Sequence, residues 1–143
     1  MRATPFDTRI EYIQTIEANH DAFIIELIKE LEEVVLQLNK NQLKEQGVDS
    51  EGHELGEYRP LTISIRSAYG LQTDYIDLSF EGDYQDSFAI EYGQTEFTII
   101  ATDPKTETIE KRFKKPRGLT EGSKAELKVF LRDLILEKLR KRI

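Results

Sequence analysis

Leu78-Ser79-Phe80-Glu81-Gly82-Asp83-Tyr84-Gln85-Asp86-Ser87-Phe88 sets an acidic, glycine-centred turn between two segments whose apolar residues alternate. Alternation with period two puts one face of a strand in a core and the other in water. The same pattern recurs at Leu61-Thr62-Ile63-Ser64-Ile65, Ile76-Asp77-Leu78-Ser79-Phe80, Phe88-Ala89-Ile90-Glu91-Tyr92 and Phe97-Thr98-Ile99-Ile100-Ala101. Short spacings with turns near Gly70, Gly82 and Gly93 predict a mainly antiparallel four-stranded sheet. Asp77, Ser79 and Glu91 fall on its solvent face, and helices must cover the other.

Helices flank this sheet. From Thr8 to Gln46 there is neither Pro nor Gly, and apolar residues recur at Ile10, Ile13 and Ile16, then at Ile24, Leu27, Ile28, Leu31, Val34, Val35 and Leu38. The spacing predicts a short helix and a long one, with Asn19-His20-Asp21 as the break, Asp21 as N-cap and Gly47 as the stop. Residues 48–60 read as a loop. Asp103-Pro104 opens a short basic helix through Phe113, ended by Pro116 and Gly118. Thr120 or Ser123 caps a last helix, with Ser123 and Glu126 as a capping box. Its buried stripe is Leu127, Phe130, Leu131, Leu134 and Ile135, and Lys138, Arg140, Lys141 and Arg142 complement its dipole. The expected fold is a single α+β domain over 1–143, with N-terminal helices, the sheet, a short helix and a C-terminal helix packed on it. A chain of 143 residues buries roughly two thirds of its unfolded surface, enough for one core.

No apolar run approaches the ~20 residues that span a bilayer, and the start lacks the apolar core of a signal peptide, so a soluble, intracellularly made chain without membrane contact is expected. The absence of cysteine excludes disulfides, thiolate metal sites and cysteine nucleophiles. The net charge of −7 conceals an asymmetry: residues 1–104 carry 7 Lys or Arg against 21 Asp or Glu, and residues 105–143 carry 13 against 6. Such a split suits head-to-tail contacts between copies, or mutual neutralisation within one fold.

Candidate chemistry is thin. The loop acids Asp49, Glu51, Glu54 and Glu57 do not form a calcium loop, because counting from Asp49 the sixth residue is Glu54 rather than glycine and the twelfth is Pro60. Asp74, Asp77, Glu81, Asp83 and Asp86 could hold Mg²⁺ for nuclease work, but no lysine lies between Lys44 and Lys105. His20 and His53 are isolated, and none of Ser64, Ser67, Ser79, Ser87 and Ser123 sits in a nucleophile elbow. No phosphate-binding glycine loop occurs. No catalytic residue, cofactor or metal is therefore expected. Lys111, Arg112, Lys114, Lys115 and Arg117, with Phe113 among them, could meet phosphates and a base, but a contact with an acidic protein surface fits the acidic remainder of the chain better.

Three local signatures, in order, make residues 35 to 140 resemble tailed-bacteriophage virion morphogenesis proteins, the tail-completion or head-tail joining (neck) family. Gly52 precedes Leu55-Gly56-Glu57-Tyr58-Arg59-Pro60-Leu61-Thr62, similar to the loop that follows a helix in that family. Leu78 through Gly82 and Tyr84 to Ser87-Phe88 look like its glycine turn entering a strand, with Phe80-Glu81 in place of the usual Asp-Thr. Pro116-Arg117-Gly118-Leu119-Thr120 keeps a shortened form of its Pro-Arg run before the last helix. The resemblance implies a noncatalytic subunit of the virion connector or tail end, made in the bacterial host cytoplasm. Its partners would be copies of itself in a ring and portal, adaptor or tail proteins. Contact residues would come from the basic run Lys111, Arg112, Lys114, Lys115 and Arg117, and from Glu57, Tyr58, Glu81, Asp83, Tyr84 and Asp86. A monomeric protein-binding adaptor and, behind it, a metal-dependent nuclease are the alternatives.

Overall fold

The computed structural model describes residues 5–18 and 20–141. Two helices, α1 (Pro5–Ala18) and α2 (His20–Glu30), lead to α3 (Glu32–Asn41), which runs on into a π-helical segment (Gln42–Gln46) closed by Gly47 at φ 62°. Next come α4 (Pro60–Ala68), the single turn α5 (Asp83–Asp86), a hairpin of β1 (Phe88–Tyr92) and β2 (Phe97–Ala101), then α6 (Thr106–Arg112) and α7 (Glu121–Arg140). The two strands pair antiparallel from Phe88 opposite Ala101 to Tyr92 opposite Phe97. The hairpin packs on α3, and α7 lies against α2 and α3. Among the described residues no helix is long and apolar enough to cross a membrane.

The α+β class holds, but the sheet has two strands where four were expected. Leu61–Ile65 is helical because Pro60 presets the first helical position after an extended Arg59 (φ −71°, ψ 154°). Alternation then no longer describes a face: Leu61 and Ile65 share one side of α4, and Ile63 points elsewhere. Ile76–Phe80 is irregular because its polar groups are claimed by side chains. Leu78 takes φ 57°, Ser79 N–H donates to the Asp77 carboxylate at 2.9 Å, and the Ser79 carbonyl accepts from Arg66 at 2.7 Å. Asp77, expected in solvent, is buried.

The helical expectations fare better, with local changes. Leu31 makes a turn between α2 and α3, so the long helix is broken once, while Gly47 ends it as read. Asp21 lies in the first turn of α2, and Asn19 is outside the described residues. Ile10 and Ile13 remain exposed, and the side chain of Ile16 is outside the description. Thr120, not Ser123, caps α7, its hydroxyl accepting from Ser123 N–H at 3.1 Å. On that helix Leu127 is buried and Phe130 exposed, and Arg142 lies outside the described residues.

One core joins Ile28, Val35, Leu38 and Leu43 of the helical front to Tyr84, Phe88, Ile99, Leu119 and Leu127. Two fully buried polar residues on the same helical stripe, Asn39 and Gln42, fix the chain that enters α7. Asn39 donates to the Pro116 carbonyl at 3.1 Å and accepts from Gly118 N–H at 2.9 Å. Gln42 donates to the Gly118 carbonyl at 2.8 Å and accepts from Thr120 N–H at 2.9 Å. Each amide thus replaces strand-like pairing for a segment that has no strand partner, which makes its burial tolerable. Gly118 sits at φ 121°, and a Cβ there would lie 3.0 Å from that of Ser50.

Candidate functional site

The side chain that organises the surface is Arg66, on the inner side of α4. It is 3% exposed and faces Asp77, which is 5% exposed, at 3.2 Å. Its Nε donates to the Gln72 carbonyl at 2.8 Å, and its guanidinium stacks on the Tyr58 ring at 4.4 Å. Asp77 also accepts from Tyr58 O–H and from Gln72 Nε2, both at 2.9 Å. Gln85 donates to the Asp77 carbonyl at 2.8 Å. Burial pushes the Tyr58 hydroxyl up to about 12. The nitrogens and carboxylate oxygens of the ion pair all have partners within the chain, which makes the pair a structural joint, while the buried Gln85 Oε1 beside it has no partner among the described residues.

What the joint supports is an uncovered helix. Arg66 is the one buried residue of α4. Leu61 is 74% and Tyr69 70% exposed, Ile65 lies one turn after Leu61, and Tyr69 meets the exposed Phe80 edge-on at 5.1 Å. Leu61, Ile65, Tyr69 and Phe80 thereby form a continuous apolar face turned to solvent. Isolated exposed apolar residues are ordinary, whereas a contiguous patch marks a contact surface.

Grooves on the described body include two that hold expected contact residues. The smaller, about 740 Å³, runs beside α4 and is lined by Tyr58, Thr62, residues 78–84, Lys105, Ile109, Arg112 and Phe113. It gathers five of the expected contact residues: Tyr58, Glu81, Asp83, Tyr84 and Arg112. Within it Asp83 pairs with Lys105 at 3.2 Å, and Arg112 sits over the Phe113 ring at 5.1 Å. Tyr84 is buried, and its hydroxyl, pushed upward by burial, donates to Glu110 at 3.1 Å. The larger groove, about 1090 Å³, is floored by Ile24 and Ile28 of α2, Phe97 of the hairpin, and Leu127 and Leu131 of α7. Lys114, Lys115 and Arg117 stand along it.

The remaining expected contacts are dispersed. Arg117 is half-buried against Glu110 and donates to the Ile99 carbonyl at 2.6 Å, so it ties α6 to β2. Its charged form is held more firmly than usual, chiefly by the hydrogen bond to Glu110. Lys115 reaches Glu51 at 2.6 Å, which raises the lysine and lowers the carboxylate. Lys111 pairs with Glu107 at 3.2 Å along α6, and Lys114 is exposed. Glu57 is exposed, and Asp86 stands 4.0 Å from Lys40. The acids weighed as a metal centre are not assembled: Asp77 is sealed on Arg66 and Asp83 faces Lys105. Among the described residues no group of three His, Cys, Asp or Glu is placed to hold a metal ion.

No protein-family profile matches the chain, and neither a curated protein nor a solved structure matches it. The site therefore stands on its own geometry. Sequence reasoning missed the Arg66–Asp77 joint and the exposed face of α4. Arg59-Pro60 followed by eight residues to Tyr69-Gly70 was the available signal, a proline at the first helical position and a glycine after the end. The Asn39 and Gln42 clamp was also visible as two amides at core positions of an apolar stripe.

Proposed function

We propose that the protein is a noncatalytic structural subunit of a tailed-phage head-tail connector or tail end, working as a ring of copies that joins portal or adaptor to tail. The observation that carries this reading is the uncovered apolar face of α4, held out from the body by a buried ion pair. Full burial of a large apolar side chain is worth about 1.5–3 kcal/mol, so covering four that are half to three-quarters bare yields roughly 4–7 kcal/mol. That is of the order that association itself costs, about 4–15 kcal/mol, so the patch offsets much of the cost of docking. The segments that resemble the neck family also have a shaping role here. Residues 55–62 and 78–88 supply Tyr58, Ser79 and Gln85 to the joint beneath α4, and residues 116–120 are the clamped strap before α7.

A second reading, a monomeric adaptor that binds another protein, draws on a different observation. Front acids meet rear bases within the chain at Asp83–Lys105, Glu51–Lys115 and Glu30–Lys138, which is self-neutralisation. Coexpression of the tagged protein with the portal, adaptor and tail proteins of its own genome separates the two. The connector reading expects a stoichiometric complex with at least one of them; recovery of the tagged chain free of all three would overturn it.

A further inference from the structure

Independently of the connector reading, we infer that the smaller groove, beside α4 and α6, is a binding site for a small organic anion, an apolar body that carries a carboxylate, phosphate or sulfonate. Its space of about 740 Å³ lies within the range of ordinary ligand pockets, roughly 300–1,000 Å³. Ile76, Leu78, Ile109 and Phe113 give it apolar walls, and the hydroxyl residues Thr62 and Ser79 stand among them. Apolar surface with a few polar groups that fix orientation is what ligand sites present. The lining carries three cations, Arg59, Lys105 and Arg112, against two carboxylates, Glu81 and Asp83. Both carboxylates act on one of the cations. Asp83 binds Lys105 at 3.2 Å, and Glu81 adds to the field that holds that lysine charged. Arg59 and Arg112 have no ion pair among the described residues. Arg112 stands at the far end of α6 from Lys105, about 10 Å along the helix axis, with its guanidinium over the Phe113 ring at 5.1 Å. A guanidinium's planar fork meets a carboxylate or phosphate through two N–H groups, so two uncommitted ones on an apolar concave wall select an anion over a neutral guest. The chain as a whole carries a net charge of −7, so its general field repels anions and a preference for one is local to this lining. Leu78 adds a second mark. It is the one non-glycine residue at positive φ among the described residues, at 57°, and backbone strain of this kind collects at ligand clamps.

Two fluorescent probes test this on the full chain at physiological salt: anilinonaphthalene sulfonate, an apolar body with one anionic group, and phenylnaphthylamine, the same body without it. The inference expects saturable binding of the sulfonate, roughly tenfold tighter than that of the neutral amine. Arg59→Gln with Arg112→Gln, at exposed positions and checked for unchanged circular dichroism, brings the two affinities to within about twofold by weakening the sulfonate alone. Lys114→Gln with Lys128→Gln, at the larger groove, leaves the preference as it is in the wild type. A preference that survives the arginine variant, or that disappears with the lysine variant instead, would place the anion elsewhere and overturn the assignment. Equal affinity of the wild type for the two probes, or no saturable binding of the sulfonate, would overturn it as well.

Discussion

Replacing Arg66 with Met removes the charge that α4 contributes to the joint while keeping much of the stem's volume. Breaking a buried ion pair from one side costs about 3–5 kcal/mol, because the other charge stays buried without its partner. Asp77 would retain Tyr58 O–H, Gln72 Nε2 and Ser79 N–H, each at 2.9 Å, which places the loss near the lower end, about 3 kcal/mol. For a domain of this size that is a fall of about 6–12 °C in Tm. Urea titration followed by circular dichroism measures it, and Asp77→Asn with the double variant completes a cycle. A coupling of about 2 kcal/mol is expected for two groups in one network. If Arg66→Met cost less than about 1 kcal/mol and the coupling were under about 0.5 kcal/mol, the joint would not be what holds α4, and the reasoning would fail.

Four further outcomes follow from the same geometry. Gln42→Ala leaves the Gly118 carbonyl and Thr120 N–H unpaired in a buried strap, a loss of about 2–4 kcal/mol, read by urea titration and by faster hydrogen exchange at Thr120. Gly118→Ala puts a side chain at φ 121° and a Cβ 3.0 Å from Ser50, costing about 1–3 kcal/mol in the same titration. Burial holds the Tyr58 and Tyr92 hydroxyls up to about 12, so between about pH 10 and 12 the folded chain keeps protons the unfolded chain has lost. Stability from these two is complete below about pH 10 and declines toward 12, and Tyr58→Phe with Tyr92→Phe should flatten that decline. Charge reversal at Lys111, Arg112, Lys114 and Lys115 should lower assembled mass in light scattering without changing the circular dichroism spectrum; unchanged assembly at physiological salt would count against the basic run as a contact.

The helical front was readable because its apolar spacing resumes after Asn19-His20-Asp21 and no Pro or Gly intervenes before Gly47, and the hairpin because Phe88–Tyr92 and Phe97–Ala101 alternate on both sides of a short loop. Leu61–Ile65 alternates just as well. What a local pattern cannot register is that Arg66, one residue later, finds a carboxylate eleven residues on, a contact made here with α4 wound as a helix. Asp77 misled for the same reason: an acid in an alternating run reads as solvent-facing until its cation is located. Of the expected contact residues, Tyr58, Glu81, Asp83, Tyr84 and Arg112 line one groove, while Arg117 is drawn into the body by Glu110, which also takes the Tyr84 hydroxyl. The apolar face of α4 was hidden by the assumption that alternating isoleucines and leucines must face a core.

The mass of the purified chain in solution, by light scattering over rising concentration, tests most directly whether α4 is built to be covered by another copy. The account predicts a mass that climbs from the single chain to a defined multiple, and that falls back when Leu61 and Ile65 are both replaced by Asp. A single-chain mass at every concentration, identical for the wild type and that variant, would contradict it.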